Sequence, residues 1–361
     1  MEFYKLPIQH VRKDTRDAVV VELGVPESVR EAFAFTAGQY LTVRAAIGGK
    51  DERRSYSICT SPLSGKLRVA IKRVDDGVFS SWAHGALQAG DELEVASPQG
   101  RFFVPLDPAA TRNYLAVAAG SGITPVLSLI EATLAIEPRS RFTLVYGNRS
   151  ASSTMFREEL QHLKDRYLER LALIFITSRE RQDVDAFNGR IDRARVLELA
   201  KGWIDLDATD FVFLCGPESM MDAVAQALRE RDFPPERVIV ERFVADGEVA
   251  RERRERAKTQ AERIVHASVV LDGATRTFEI RKDAESVLEA GLRAGIDLPF
   301  SCKGGICSSC RAQLVAGEVD MDVHFALEDY EVRSGVVLMC QSHPVTDEVA
   351  LDVDAIAAQL V

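Results

Sequence analysis

Four of the six cysteines lie in the last 60 residues. Cys302, Cys307 and Cys310 fall within nine positions, and Cys340 follows after 29 more residues. Clustered thiols in a chain without a disulfide framework read as metal ligands. A C-x4-C-x2-C run with one distant cysteine suits four thiolates around a 2Fe-2S cluster. A structural zinc site is the alternative, but zinc cysteines usually come as two short hooks far apart in sequence. Here three ligands share one loop and the fourth stands alone, so the spacing favours the cluster. Gly304-Gly305 fits the same purpose. A loop that wraps a cluster needs unusual backbone angles and amides close to the sulfurs. Such a cluster sits at roughly −400 mV, low enough to reduce most acceptors.

A second set of residues suits phosphate and nucleotide chemistry. Ala119-Gly120-Ser121-Gly122-Ile123-Thr124-Pro125 joins an apolar strand to a helix. Its two glycines let backbone approach a ligand, and Thr124-Pro125 starts a helix whose N-terminus favours phosphate. It is not the full G-x-G-x-x-G fingerprint, and a plain Gly-rich turn is the competing reading. Gly77-Val78-Phe79-Ser80-Ser81-Trp82 offers a Gly turn, serine hydroxyls and free helix N–H groups, which could equally be an ordinary Ser cap. Arg54-Ser55-Tyr56-Ser57 sets a planar donor fork, a ring and a hydroxyl near a strand end. Cys215-Gly216-Pro217 ends a later strand, where a buried cysteine is also common in cores.

The elements that must position these residues fall into three segments. Residues 1–108 hold short β-rich runs split by Gly and Pro clusters, such as Asp17–Leu23, Gln39–Arg44, Leu67–Arg73 and Glu92–Val95. That pattern predicts an antiparallel barrel or sandwich, with one helix near Phe79–Leu87. Residues 109–245 alternate buried-type strands with amphipathic helices. The strands are Tyr114–Ala118, Phe142–Tyr146, Leu171–Ile176, Phe211–Leu214 and Val238–Val240. The helices are Pro125–Leu134, Met155–Tyr167, Arg193–Ala200 and Ser219–Arg231. Such alternation predicts a doubly wound parallel sheet, which binds ligands at the carboxyl ends of its strands. Residues 246–261 are charged at nine of 16 positions and read as an exposed linker. Residues 262–361 form a small mixed module with strands at Ala267–Leu271 and Thr277–Arg281 and a helix at Ser286–Ala294.

Composition narrows the function further. The 361 residues are 46% hydrophobic and 28% charged, the profile of a globular protein with several domains. No apolar run approaches the roughly 20 residues of a membrane span, and no signal-peptide plan is visible at the start, so a cytoplasmic protein without membrane contact is expected. The net charge of −10 argues against nucleic acid as a partner. From Arg263 onward the chain carries −8, against −2 for the first 262 residues. An acidic module on a near-neutral body suits docking to a basic surface, or simply solubility.

On these motifs, residues 262–361 resemble a plant-type ferredoxin, which implies a β-grasp fold. The preceding 245 or so residues look like a ferredoxin–NADP reductase-type flavoprotein. The whole order is similar to reductase components of bacterial oxygenases. The resemblance implies a multi-domain fold: an antiparallel flavin-binding β-barrel, a doubly wound parallel α/β nucleotide domain and a β-grasp ferredoxin. Arg54, Ser55, Tyr56 and Ser57 then resemble the family's R-x-Y-S motif, with Arg54 on the pyrophosphate, Tyr56 on the isoalloxazine face and Ser57 near N5. By the same analogy Val69, Ile71 and Lys72 lie along the flavin. Gly77, Phe79, Ser80 and Ser81 hold its pyrophosphate, which favours FAD over FMN. Gly120, Gly122, Thr124 and Pro125 match the family's nucleotide loop, and Cys215, Gly216 and Pro217 face the nicotinamide. Glu241 and Phe243 match the carboxylate and ring placed beside the flavin, although an exposed strand end reads the same way.

NAD-specific sites prefer an acid on the ribose. None follows the second strand here, which runs into Arg149. Ser178-Arg179-Glu180 looks like the family's NADP-binding S-R-E, and Arg190 is a further candidate. NADPH is the expected donor, with NADH as the alternative. The resemblance implies an electron path from NADPH to FAD, to the 2Fe-2S cluster held by Cys302, Cys307, Cys310 and Cys340, and on to an oxygenase component. The acceptor it implies is a di-iron oxygenase that epoxidises the ring of phenylacetyl-CoA. Reductases of other aromatic-ring or steroid oxygenases share this plan. A carrier or redox sensor without turnover is the alternative from another class, and the intact flavin and nucleotide motifs count against it.

Overall fold

The computed structural model describes residues 1–243 and 263–357. The proposed linker, residues 246–261, lies outside them. The chain divides into two compact units, Glu2–Phe243 and the segment from Val244 onward.

The first unit opens with six antiparallel strands: β1 (Tyr4–Thr15), β2 (Ala18–Leu23), β3 (Tyr40–Ile47), β4 (Lys50–Ser57), β5 (Leu67–Lys72) and β6 (Glu92–Val95). Their order is β4-β3-β6-β1-β2-β5. A bridge between Ile58 and Val69 joins the two edges and closes the sheet into a barrel. Alternating residues fill its core, among them Leu6, Ile8, Val21, Leu41, Val43, Val69, Ile71 and Val95. Helix α1 (Val78–Ala86) covers one end and buries Phe79 and Ala83 in the same core.

Five parallel strands follow: β7 (Asn113–Ala119), β8 (Arg141–Asn148), β9 (Leu171–Thr177), β10 (Phe211–Gly216) and β11 (Val238–Arg242), in the order β11-β10-β7-β8-β9. Both faces are buried, which is why the strands read as near-continuous apolar runs. Tyr114, Ala116 and Ala118 face a core shared with α2 (Ile123–Ile136) and α3 (Arg157–Arg166). Leu115 and Val117 face the opposite core, shared with α4 (Arg193–Leu199) and α5 (Glu218–Arg229). The strand order reverses between β7 and β10, and that switch point opens a crevice at the strand ends.

The second unit is a β-grasp. A hairpin of β12 (Ile264–Leu271) and β13 (Ala274–Arg281) turns through Asp272-Gly273, both at positive φ, as a two-residue primed turn requires. A helix over Val287–Arg293 starts from a Ser286–Glu289 capping box. The remaining strands are β14 (Arg311–Ala316), β15 (Val319–Met321), β16 (Val336–Leu338), β17 (Ser342–Pro344) and β18 (Glu348–Asp352). The main sheet runs β13-β12-β18-β14-β16, with β12 and β18 parallel. Among the described residues no helix is long and apolar enough to cross a membrane.

Candidate functional site

The cysteine loop precedes β14, and Cys340 follows β16 on the neighbouring strand. Cys307, Cys310 and Cys340 are buried, and Cys302 is half-buried. The thiols come together as two pairs. Cys302 gives a hydrogen bond to Cys307, which raises its own pKa together with burial. That same bond pushes Cys307 down to about 6 against burial. Cys310 gives its hydrogen bond to Cys340, with the same opposed shifts. Among the described residues no three His, Cys, Asp or Glu groups close around one single-ion position.

The backbone supplies donors to the sulfurs. The Cys302 N–H donates to Cys307 Sγ and the Gly304 N–H to Cys302 Sγ, both at 3.3 Å. Lys303, Gly305 and Ser308 have φ of +54°, +76° and +53°, which curls the loop so that its amides face inward. A Cβ on Gly305 would sit 2.6 Å from Val323 Cγ2, so glycine is needed there for space as well as angle. The donor set and the curled backbone fit a 2Fe-2S cluster.

In the barrel, Arg54-Ser55-Tyr56-Ser57 forms the last half of β4, opposite Tyr40–Val43 of β3. The bridge at Ile58 brings this end beside β5. Tyr56 packs its ring on Phe79 at 5.8 Å between centroids, and burial raises its pKa. Arg54 is partly exposed, 3.1 Å from Glu52. Helix α1 starts at Gly77 without any side-chain cap, which leaves its first N–H groups free of side-chain acceptors. Four of the expected residues have side chains packed or bonded within the protein itself. Val69 and Ile71 have their side chains fully buried in the barrel core. Phe79 is likewise core, 1% exposed. The Ser80 hydroxyl accepts from the Val74 N–H at 3.1 Å and donates to the Gly77 carbonyl, so it builds the turn; Ser81 is exposed.

The nucleotide loop lies at the switch point. Gly120 takes φ +55°, and the Tyr146 hydroxyl donates to its carbonyl at 2.8 Å. Thr124 Oγ1 donates to the Ser121 carbonyl at 2.9 Å, so this hydroxyl shapes the loop. A Cβ on Gly122 would fall 2.0 Å from the Cys215 carbonyl, and one on Gly216 3.1 Å from the Ala119 amide. These glycines keep the β7 and β10 loops in contact, a cradle that any side chain would fill. Pro125 is buried in α2, and Pro217 precedes α5. Lys72, at the end of β5, places its Nζ 3.3 Å from where a Gly120 Cβ would be. Burial and then the Arg149 charge lower its pKa. The barrel and the nucleotide loop therefore meet at this point.

Cys215 is fully buried, and its thiol pKa is raised first by burial and then by Glu241, its register partner on β11. Phe243 follows β11 and is 38% exposed. Ser178 and Arg179 extend β9 by backbone hydrogen bonds to Asn148 and Arg149 at 3.0 and 2.8 Å. Arg149, Arg179 and Arg190 are all exposed. The geometry brings Arg149 and Arg179 onto adjacent strand ends. Tyr146, which anchors the Gly120 carbonyl, carries no sequence signal of that role, because it sits in an ordinary apolar strand.

A flavin barrel, a nucleotide sheet and a cluster module in one chain define a flavin- and iron–sulfur-dependent electron-transfer reductase. Known proteins carry the same three parts. Residues 5–104 match the family described as oxidoreductase FAD-binding domain, 116–226 the oxidoreductase NAD-binding domain, and 269–345 the 2Fe-2S iron-sulfur cluster binding domain. The chain is 41% identical to one of the subunits of 1,2-phenylacetyl-CoA epoxidase of Escherichia coli (strain K12), over 98% of each chain. It is 30% identical to the ferredoxin reductase component of 3-ketosteroid-9-alpha-monooxygenase of Rhodococcus rhodochrous, over 96% of each. Among solved structures it is similar to phthalate dioxygenase reductase, with TM-score 0.63 and 28% identity over 97% of this chain and 98% of that one. The chain belongs to the family of FAD- and 2Fe-2S-containing reductase components of oxygenases. It is an NAD(P)H-dependent oxidoreductase.

Proposed function

We propose that this chain feeds electrons from NADPH to the di-iron oxygenase component of a phenylacetyl-CoA epoxidase system in the cytoplasm. The observation that carries the choice of system is the 41% identity to the Escherichia coli epoxidase chain across nearly the full length of both. When bound, FAD would supply the change from two-electron to one-electron transfer, and the cluster would supply a one-electron carrier toward the acceptor.

The chain's own residues hold and orient these groups. Arg54 offers its guanidinium to the FAD pyrophosphate, together with the uncapped first turn of α1. Tyr56 covers the isoalloxazine face, Ser57 donates near N5, and Glu241 and Phe243 border the ring from the nucleotide side. Gly120 and Gly122 let the β7 loop approach the nucleotide backbone, and Cys215-Gly216-Pro217 seats the nicotinamide. Cys215 stays a neutral thiol there, because burial and Glu241 both disfavour its thiolate. Ser178, Arg179, Arg149 and Arg190 receive the 2′-phosphate; the pairing of residue 179 with residue 149 supports this. Cys302, Cys307, Cys310 and Cys340 would hold the cluster. Residues 1–108, 109–245 and 262–361 are the corresponding domains.

Anaerobic titration with NADPH, and separately with NADH, tests the reading by visible spectrum. Flavin bleaching followed by loss of cluster absorbance with NADPH is expected. A response to NADH alone would overturn the donor assignment. No response to either would overturn the placement of the nucleotide loop. Reduction of purified oxygenase components, the phenylacetyl-CoA and a ketosteroid enzyme side by side, identifies the system.

A further inference from the structure

We propose that Gln341 sets the reduction potential of the 2Fe-2S cluster by donating its side-chain N–H to the Cys340 sulfur. The inference rests on the reading of Cys340 as a cluster ligand. Gln341 is 8% exposed. Its Nε2 lies 3.5 Å from Cys340 Sγ, 3.0 Å from the Lys303 carbonyl and 3.1 Å from the Cys340 carbonyl. The amide thus spans the two parts of the ligand set, the cysteine loop and the strand after β16.

Its aim is fixed from several sides. The Gln341 N–H donates to the Leu338 carbonyl at 2.9 Å, and its own carbonyl accepts from the Asp322 N–H at 3.0 Å. Gly305 leaves room for the side chain: a Cβ there would lie 3.1 Å from Gln341 Cγ. A donor held in a buried site needs no reorganisation when the charge opposite it changes. Reduction adds one electron to the cluster, and its thiolate sulfurs become more negative. The N–H dipole favours that state over the oxidised one, so it raises the potential.

Gln341→Met keeps the length of the side chain and removes the donor. Gln341→Glu keeps the shape and replaces the donor with a negative charge. The test is a redox titration of the full chain with FAD and cluster bound, followed by the electron paramagnetic resonance of the reduced cluster. Iron and sulfide contents are measured first. At a fixed poise the reduced-to-oxidised ratio of the cluster is expected to fall about tenfold in Gln341→Met, about 59 mV for a one-electron couple. Gln341→Glu is expected to shift it further in the same direction, with the flavin couple unchanged in both. A cluster couple at the wild-type value in either variant that holds its iron and sulfide overturns the proposal. Loss of the cluster from both variants also overturns it, and makes Gln341 an assembly residue. A wild-type chain that binds neither iron nor sulfide overturns the ligand reading itself.

Discussion

Gly122 is the position where a single methyl group tests the switch-point geometry. Its φ is −60°, an ordinary helical value, so alanine introduces no backbone strain. The contact is the whole effect. An added Cβ would stand 2.0 Å from the Cys215 carbonyl oxygen, 2.5 Å from its carbon and 3.0 Å from the Gly216 nitrogen, where ordinary contact begins near 3.4 Å. All three are backbone atoms of β10, which cannot swing aside as a side chain would. The β7 and β10 loops must separate, at a cost of about 1–3 kcal/mol. A displacement of about 1 Å at a reacting geometry loses on the order of a hundredfold in rate. Gly122→Ala is therefore expected to lower kcat/KM for NADPH by roughly ten- to a hundredfold, measured by ferricyanide reduction. FAD content should stay at the wild-type level, because the barrel is untouched. Tm should drop by a few degrees. Gly202→Ala is the control: a Cβ there meets nothing within 4 Å. Unchanged kcat/KM and Tm in Gly122→Ala would refute the close approach of the two loops.

Other consequences can be checked separately. Arg179→Ala should raise the KM for NADPH on the order of tenfold and leave that for NADH alone, since only the former carries a phosphate for a guanidinium to pair; equal effects on both would refute the 2′-phosphate assignment. Glu137 is fully buried and accepts from Tyr114 Oη at 3.0 Å, Ser140 Oγ at 2.6 Å and the Asp107 N–H at 3.0 Å, with Arg112 at 3.3 Å. Glu137→Ala strands all four donors and should cost about 3–5 kcal/mol in denaturant unfolding, and a loss under about 1 kcal/mol would contradict this. In the ferredoxin unit burial alone would raise the Glu285 pKa, but hydrogen bonds from Arg293 and Arg281 outweigh it and hold the carboxyl at about 2, below its usual 4.5. That stabilisation is present above about pH 4.5 and is lost as pH falls toward 2, so the acid unfolding curve followed by circular dichroism should flatten in Glu285→Gln.

The cluster loop and the parallel sheet were legible because their signals are local. Cysteine spacing is set by what the ligands must reach, and strands buried on both faces show as apolar runs wherever they occur. The first barrel strand was not legible. Over Tyr4–Thr15 only Leu6 and Ile8 are fully buried, and the rest is polar or half-exposed, with a proline inside. Strand β4 is Lys-Asp-Glu-Arg-Arg-Ser-Tyr-Ser, which has almost no apolar pattern, so only its end drew notice as a motif. Its pairing with β3 over eight residues supplies what its composition lacks. The turn contacts of Ser80 and the core packing of Val69 and Ile71 also carry no motif signal. A motif gives the residue types near a ligand and does not say which of them face it. Gln341 and Tyr146 show the converse. Tyr146 acts on the Gly120 carbonyl, and the Gln341 side chain is held by the Lys303 carbonyl, each more than 20 residues away in sequence, so no spacing rule reaches these contacts.

Helix α2 explains how the flavin motif and the nucleotide loop keep their relative placement. It is buried nearly all round, with Val126, Leu127, Leu129 and Ile130 each at most 2% exposed, which is unusual for a helix on a sheet face. The reason is that one side packs on the sheet and the other on the barrel. There, Ser128 Oγ donates to the Thr60 carbonyl at 2.6 Å, and Glu131 accepts from the Ser61 N–H at 2.8 Å. Thr60 and Ser61 lie three and four residues after Ser57, the end of the flavin motif. The N-terminus of the same helix is the Gly120–Pro125 loop. One rod of 14 residues therefore holds the barrel by its middle and the Gly120–Pro125 loop by its end. A site divided between two folds needs such a shared element, because loops alone would not hold reacting atoms within the half ångström that transfer demands.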